Sequence, residues 1–410
     1  MSNLKLILKN SSFQKLWPHL SKSRKKQFWL ISILMIISSL SEIISIGAVL
    51  PFLGVLTSPD QFFQHPYMQP VIQILELTKP SQLVTLSTFL FIFAVMLASI
   101  IRLVMLYSMI RFTYAIGADL SVDMYHRTLH QEYSVHVSRN SSEVINGVIT
   151  KTNAVITGTI GPILTLISST ILIMGIVSVL LVIDPVVALL SFTGFSFLYL
   201  LVIYFTRNKI KNNSKIIAKE STQIVKSLQE GLGGIRDVLI NRTQQFYCKL
   251  YQKADIPLRR AAGLNHFISI CPRFIMEAIG ITIIVSFAYV ISLKEGGVIA
   301  TIPLLGAIAL GAQRLLPLLQ QSYSSYAQIK GSRASFEDML DLLNQPLTKN
   351  ANPSMSKSIK FEKEIKINNL SFRYRSDLPW VLKNINLLIN KDECIGFVGE
   401  TGSGKSTLLD

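Results

Sequence analysis

The sequence predicts a mainly α protein: a membrane domain of six helices with long helical extensions, followed by a short α/β segment built on a glycine-rich loop. Three observations carry this. Half of the 410 residues are hydrophobic, only 16% are charged, and mean hydropathy is +0.43; soluble domains average about 25% charged residues. Six apolar segments approach or exceed the roughly 20 residues that cross a bilayer as a helix. Near its end the chain changes to strand patterning and then to a Gly-x-x-x-x-Gly-Lys-Ser motif. The composition excludes a soluble globular enzyme and a disordered chain. Cys248, Cys271 and Cys394 are far apart and form no Cys-x-x-Cys pair, so no zinc site or disulfide framework is readable.

The helices are expected over approximately 28–56, 83–112, 152–183, 185–206, 267–293 and 297–319. The first span is interrupted by Glu42 and Pro51. Its apolar stretch is too long for a signal peptide and lacks an early small-residue cleavage site, so it is read as a retained helix. The second begins near Leu83 and is uncharged up to Arg102. The third holds 32 uncharged residues between Lys151 and Asp184, and the fourth 22 between Asp184 and Arg207. The fifth is the weakest, with 16 uncharged residues (Ala278–Leu293) preceded by Arg273 and Glu277, and the sixth has 18 between Glu295 and Arg314. Buried helices of globular domains typically run about 8–20 residues, shorter than several of these spans.

Charge distribution sets the orientation. Residues 1–27 carry seven Lys/Arg and no acid, and 207–272 carry twelve Lys/Arg against four acids, whereas the connection 57–82 has Lys79 alone. Basic and basic-poor connections alternate, which places the N-terminus in the cytoplasm and returns the chain there after six crossings. Much of the net charge of +16 therefore faces anionic lipid. No clustered basic-aromatic module points to nucleic acid. The connections 102–151 and 207–272 contain apolar residues at loose helical spacing (Phe112, Ala115, Leu120, Met124, Leu129; Ile216, Ile217, Ile224, Leu228). They are expected to be helices continuing into the cytosol, reversing near Glu132–Ser142 and Gly231–Arg242. Asn-x-Ser/Thr triplets at Asn10, Asn140, Asn212, Asn241 and Asn369 all fall on the cytoplasmic side and would stay unglycosylated. The sixth helix is expected to run past Arg314 towards Leu343. Residues 344–359 then form a linker rich in Asn, Pro, Ser and Lys.

From Lys360 the pattern becomes strands, over Glu364–Tyr374 and Val381–Ile389. Cys394–Val398 is a short apolar run expected to be a buried strand. It leads into Gly399, Glu400, Thr401, Gly402, Ser403, Gly404, Lys405, Ser406 and Thr407, before helix-prone Leu408 and Leu409. Glycines let successive backbone N–H groups turn toward phosphates, and the following helix start adds partial positive charge. Lys405 would reach the β- and γ-phosphates, Ser406 would ligate Mg²⁺, and Thr407 would add a phosphate contact. Tyr374 is placed either to stack on a base or to pack in its strand.

Taken together, the chain resembles a half-transporter of the ATP-binding cassette exporter superfamily, with a six-helix transmembrane domain over 1–343 and an incomplete ATP-binding cassette domain over 360–410. Ser41–Leu53 in the first helix and Leu228–Val238 are similar to the lipid-linked oligosaccharide flippase subfamily. The resemblance implies that Tyr374 stacks on adenine and that Gly399–Thr407 hold the phosphates. It also implies that the reversals near Gln131–Ser138 and Leu232–Arg242 are coupling helices, and that His65–Leu77 is a short external helix. The family's glutamine loop, LSGGQ signature, Walker B aspartate, catalytic glutamate and switch histidine do not occur before Asp410. The 410 residues are therefore expected to be C-terminally truncated, to hold no catalytic residue, to hydrolyse no ATP alone and to end in a poorly stabilised portion.

Ionisable residues within spans are costly and commonly functional. Glu42, Arg102, Arg273 and Arg314 are the candidate cargo residues, as a basic lining for a lipid pyrophosphate. Arg102 and Arg273 also suit snorkelling to the interface, while Glu42 is deeper than snorkelling easily explains and is a candidate gating or pairing residue with no arginine partner assigned. Gly47 and Pro51 would bend the first helix nearby. The expected protein is a homodimeric, ATP- and Mg²⁺-using exporter or flippase in a bacterial inner membrane, in contact with membrane lipid. The favoured cargo is a lipid-linked oligosaccharide or polysaccharide precursor, with a peptide, drug or other lipid as the alternative. A reading of another class is a non-hydrolysing scaffold or decoy subunit.

Overall fold

The computed structural model describes residues 12–64, 66, 68–69, 73, 77–183, 185–292, 297–345, 361–374 and 377–409. His65–Leu77 lies largely outside the described residues, as do Asp184 and most of the 344–359 segment. Two compact units are present: one spans Met1–Leu129 and Ser141–Gln345, the other gathers His130–Asn140 and Pro346–Asp410.

The first unit is helical. Helix α1 (Lys22–Gly47) is followed by α2 (Val49–Thr57), with a break at Ala48. Pro51 explains the break: it has no N–H to offer the carbonyl of Gly47, four residues back, and its ring crowds that carbonyl. Helix α3 (Pro80–Leu129) is a single 50-residue rod. After the reversal, a helical stretch from Ser141 passes through two π-turns, Gly147–Lys151 and Ile156–Ile160, into α5 (Gly161–Ile183); the label α4 is kept for Tyr133–Ser138 in the second unit. Then come α6 (Pro185–Gly233), the short α7 (Ile235–Ile240), α8 (Gln244–Ser292), α9 (Gly297–Gly331) and α10 (Arg333–Leu343). Among the described residues, three helices are long and apolar enough to cross a membrane: Lys22–Ser45, Pro80–Leu129 and Ser141–Val179.

Helix α5 is the hub. It packs on α1 and α9, while α6, α8 and α9 pack against one another. One apolar cluster joins Met35 of α1, Phe112, Ile116 and Met124 of α3, Leu164 of α5 and Phe336 and Met339 of α10. Further along, Leu172 and Ile176 of α5 meet Leu315 and Leu318 of α9. Polar clamps hold the extensions. Buried Asn146 donates to Thr222 Oγ1 at 3.0 Å and accepts from Ser221 Oγ at 2.8 Å, and Asn213 donates to Asn265 Oδ1 at 2.9 Å. Buried Lys151 is paired with Asp338. A buried ammonium needs such a partner.

In the second unit, β1 (Glu364–Phe372) and β2 (Leu382–Asn390) form an antiparallel ladder from Glu364 opposite Asn390 to Phe372 opposite Leu382, with irregularities on either side of Leu370. Asn369 and Asn384 accommodate these with positive φ, which asparagine tolerates better than most residues. The expected strand over Cys394–Val398 is not formed: the run is irregular and Val398 is 98% exposed. A buried parallel strand needs ladder partners, and the sheet of the described residues consists of β1 and β2. The short helix α11 (Lys405–Leu409) follows the glycine-rich loop.

Candidate functional site

The polar groups of the membrane unit meet in two adjoining cavities. Arg102 Nη1 on α3 donates to Glu42 Oε1 on α1 at 2.9 Å. The Glu42 side chain is 21% exposed and that of Arg102 57%, so Arg102 is fixed by a carboxylate and is not a free snorkelling chain. Arg273 Nε donates to Glu277 Oε1 at 2.9 Å, one turn along α8. Arg314 lies in α9, and its side chain is outside the described residues.

The Glu42–Arg102 pair borders a cavity of about 210 Å³ that also receives Ser38, Ser39, Thr165, Ser168, Ser169 and Gln321. Ser39 is 4% exposed, and its buried hydroxyl has no hydrogen-bond partner among the described residues. Such a group is costly unless a bound molecule or water completes it. A wider cleft of about 630 Å³ holds Thr157, Arg273, Gln320, Ser324 and Gln328, and shares Thr165 and Gln321 with the first. Gln320 is held by Tyr199, whose hydroxyl donates to its Oε1 at 3.0 Å, and itself donates to the carbonyl of Ser269 at 3.0 Å. Both cavities can take an uncharged hydrogen-bonding group beside a guanidinium. The hydroxyl and amide residues were not singled out from the charges. Their signal is the spacing Gln320, Ser324, Gln328 and Gln321, Ser325, which puts a polar stripe on an otherwise apolar helix.

In the second unit, the loop from Gly399 to Thr407 is shaped by two glycines at positive φ, Gly402 at 87° and Gly404 at 88°. A Cβ at Gly404 would also lie 3.1 Å from the carbonyl oxygen of Val381, so the position excludes larger residues on two counts. Lys405 Nζ curls back over its own loop, donating to the carbonyls of Gly399 and Glu400 at 2.7 Å each and approaching Ser403 Oγ at 3.4 Å. The ammonium is thus held by two main-chain carbonyls, uncharged acceptors that phosphate oxygens would replace. Glu400, Thr401 and Ser406 present exposed side chains. Tyr374 is joined to this loop: its hydroxyl and Thr407 Oγ1 are 3.0 Å apart, and its ring meets Phe372 edge-on at 5.1 Å. The loop geometry fits a polyphosphate. No group of three or more His, Cys, Asp or Glu side chains suited to a metal occurs among the described residues, so Ser406 would offer one hydroxyl ligand to a phosphate-bound Mg²⁺.

The profile of the ABC transporter transmembrane region matches residues 28–302. The leukotoxin export ATP-binding protein LtxB of Aggregatibacter actinomycetemcomitans is 50% identical over 68 residues, 17% of this chain and 9% of that protein. The alpha-hemolysin translocation ATP-binding protein HlyB of Escherichia coli O157:H7 is 36% identical over 135 residues, 32% of this chain and 19% of that protein. The oligomycin resistance ATP-dependent permease YOR1 of Saccharomyces cerevisiae is 27% identical over 209 residues, 48% of this chain and 13% of that protein. The aligned stretches thus span less than a fifth of each relative's length.

Proposed function

The chain belongs to the ABC transporter transmembrane region family, and we propose that it is the membrane half of an ATP-driven exporter with six crossings, working as a dimer of two such chains. The observation that carries this reading is the order of parts along one chain: a transmembrane region matched over residues 28–302, then a glycine-rich loop with Lys405 at its centre. Bound ATP supplies the free energy of the cycle. In this reading the backbone of Gly399–Gly404 and the Lys405 ammonium hold the phosphates, Ser406 presents its hydroxyl to Mg²⁺, and Tyr374 stacks on adenine. The chain sits in a bacterial inner membrane with its N-terminus inside. Residues 344–359 link the membrane domain, 1–343, to the cassette segment, 360–410.

The finer reading is an amphipathic cargo with a hydroxyl-rich, anionic head, favoured as a lipid-linked oligosaccharide or polysaccharide precursor. Its support is the subfamily likeness of Ser41–Leu53 and Leu228–Val238 and the cavity where Ser39, Ser169 and Gln321 surround the Glu42–Arg102 pair. A second reading, export of a polypeptide, is favoured by the relatives named for leukotoxin export and alpha-hemolysin translocation. The native protein in proteoliposomes separates them. ATP-dependent loss of lipid-linked glycan from the accessible leaflet, abolished in Lys405→Ala, is the expected result. Glycan movement unchanged by Lys405→Ala would remove the loop from the mechanism. ATP-driven uptake of a polypeptide, with no glycan movement, would establish the second reading.

A further inference from the structure

We propose that the cleft between α1 and α3, at the end of the bundle where α1 begins, is a binding site for the head group of an anionic phospholipid of the cytoplasmic leaflet. The cleft has a volume of about 570 Å³, and Arg24, Gln27, Tyr107, Ser108 and Arg111 face it above an apolar floor that includes Phe112. Its depth follows from helix geometry. Arg111 lies 31 residues after Pro80 on one unbroken helix; that rise is about 46 Å, close to the roughly 40–45 Å of a bilayer with its head groups. Arg24 is in the first turn of α1, beside Lys22, Lys25 and Lys26. The leaflet assigned here rests on the six-crossing topology proposed above.

The two arginines differ in what they have left to offer. Arg24 is engaged: Nε and Nη2 donate to the two carboxylate oxygens of Asp119 at 2.8 and 3.1 Å, and Nη1 donates to Gln27 Oε1 at 2.8 Å. Arg111 makes no ion pair among the described residues; its guanidinium lies 5.9 Å from the Tyr107 ring. One carboxylate therefore answers two guanidinium groups, and the cleft keeps a positive charge with a free planar fork, the shape that receives a phosphodiester in two parallel hydrogen bonds. The apolar surface then runs away from the cytosol along both helices, with Leu30 at 65%, Leu103 at 65% and Tyr107 at 62% exposure. Acyl chains would lie along this surface while the phosphate sits on Arg111. Lys25 over the Trp17 ring, at 5.6 Å, adds the amphipathic aromatic typical of the interface.

The aromatic composition supplies the probe. Three tryptophans occur: Trp17, the exposed Trp29 of α1, and Trp380 in the cassette segment. In full-length Trp380→Phe protein in lipid nanodiscs, fluorescence quenching by brominated phosphatidylglycerol is compared with quenching by brominated phosphatidylcholine. The proposal expects stronger quenching by the anionic lipid, a preference reduced about fivefold in Arg111→Gln, the effect of one basic residue near a charged surface, and largely kept in Arg111→Lys. Millimolar inorganic phosphate should leave it unchanged. Equal quenching by the two lipids, or a preference untouched in Arg111→Gln, would overturn the proposal. Abolition by free phosphate would make the cleft a soluble-anion site instead. A bis-maleimide cross-link from Arg111→Cys to another protein chain would show that chain covering the cleft, and would equally overturn the proposal. Export activity enters none of these readouts, so failure here leaves the exporter reading standing.

Discussion

Pro162 leaves the carbonyl of Gly158 without the amide that an unbroken α-helix would supply four residues on. The Ser332 hydroxyl takes that place, donating to Gly158 O at 2.7 Å, and its oxygen lies 2.7 Å from the Thr159 hydroxyl, which donates in turn. The Ser332 position is the break between α9 and α10, so one side chain satisfies a proline defect in one helix and marks the end of another. Ser332→Ala should strand both the carbonyl and the buried Thr159 hydroxyl, a loss of about 1–3 kcal/mol. A lowered melting temperature in detergent is the readout, and an unchanged one would mean that water replaces the hydroxyl without loss. Lys330, two residues before this break, is half-buried beside the Tyr326 ring. Burial first, then Arg333 and Lys211, push its pKa below the usual lysine value. The folded chain therefore binds fewer protons than the unfolded one just below pH 10.5, and stability rises with pH through that alkaline window. Below it the charged amine is a burden in the fold, so Lys330→Met should melt higher at neutral pH and lose the alkaline rise; a lower neutral melting point would mean that the Tyr326 contact outweighs the desolvation. Glu42 is legible in the sequence as a charge within a span, whereas Pro162 was not singled out. Ser332 lies 174 residues from the Gly158 carbonyl it serves and Arg102 60 residues from Glu42, and no local pattern identifies them.

At the scale of elements, helices were the readable part because their cause is local. Apolar runs and loosely periodic extensions predict rods, and α3, α6 and α8 reach 50, 49 and 49 residues; at 1.5 Å per residue each is about 75 Å long, more than twice the hydrocarbon thickness. The polar halves must therefore stand outside the bilayer. Pro51 sets the division of α1 from α2 in the same local way. Pro51→Ala restores the N–H to the Gly47 carbonyl and should straighten the junction. Spin labels at Trp29 and Thr57 would then move apart as one continuous helix forms; an unchanged distance would mean that tertiary packing, and not the proline, holds the break. Strands are less local. The alternation over Glu364–Phe372 and Leu382–Asn390 finds its partner within the hairpin, whereas Cys394–Val398 has the composition of a core strand and no neighbour to pair with among the described residues. The π-turns were not legible at all: the second, Ile156–Ile160, is contacted by a hydroxyl from the distant α9–α10 junction, which no local pattern announces.

At the scale of the molecule, charge asymmetry makes a claim that helix packing does not. Seven basic residues precede Phe28 and twelve lie in 207–272, against Lys79 alone in 57–82; a positive-inside bias of that size puts Lys79 opposite the other two. Cys248 is exposed near the start of α8, far from the apolar part of that helix, and serves as a reporter of the basic side. With Cys271 and Cys394 changed to serine, a membrane-impermeant maleimide should leave Cys248 unreacted in intact cells and label it in inverted vesicles. A cysteine at Lys79, in a chain also lacking Cys248, should do the reverse. If both react from the same side, the first two spans form a re-entrant pair and the count drops from six to four. If Cys248 reacts from outside and Lys79→Cys from inside, the whole chain is inverted, which moves the Arg24–Arg111 cleft to the outer leaflet. Of these outcomes, only the expected one combines six crossings with a cytoplasmic N-terminus, the topology on which the assignment of the Arg24–Arg111 cleft to the cytoplasmic leaflet rests.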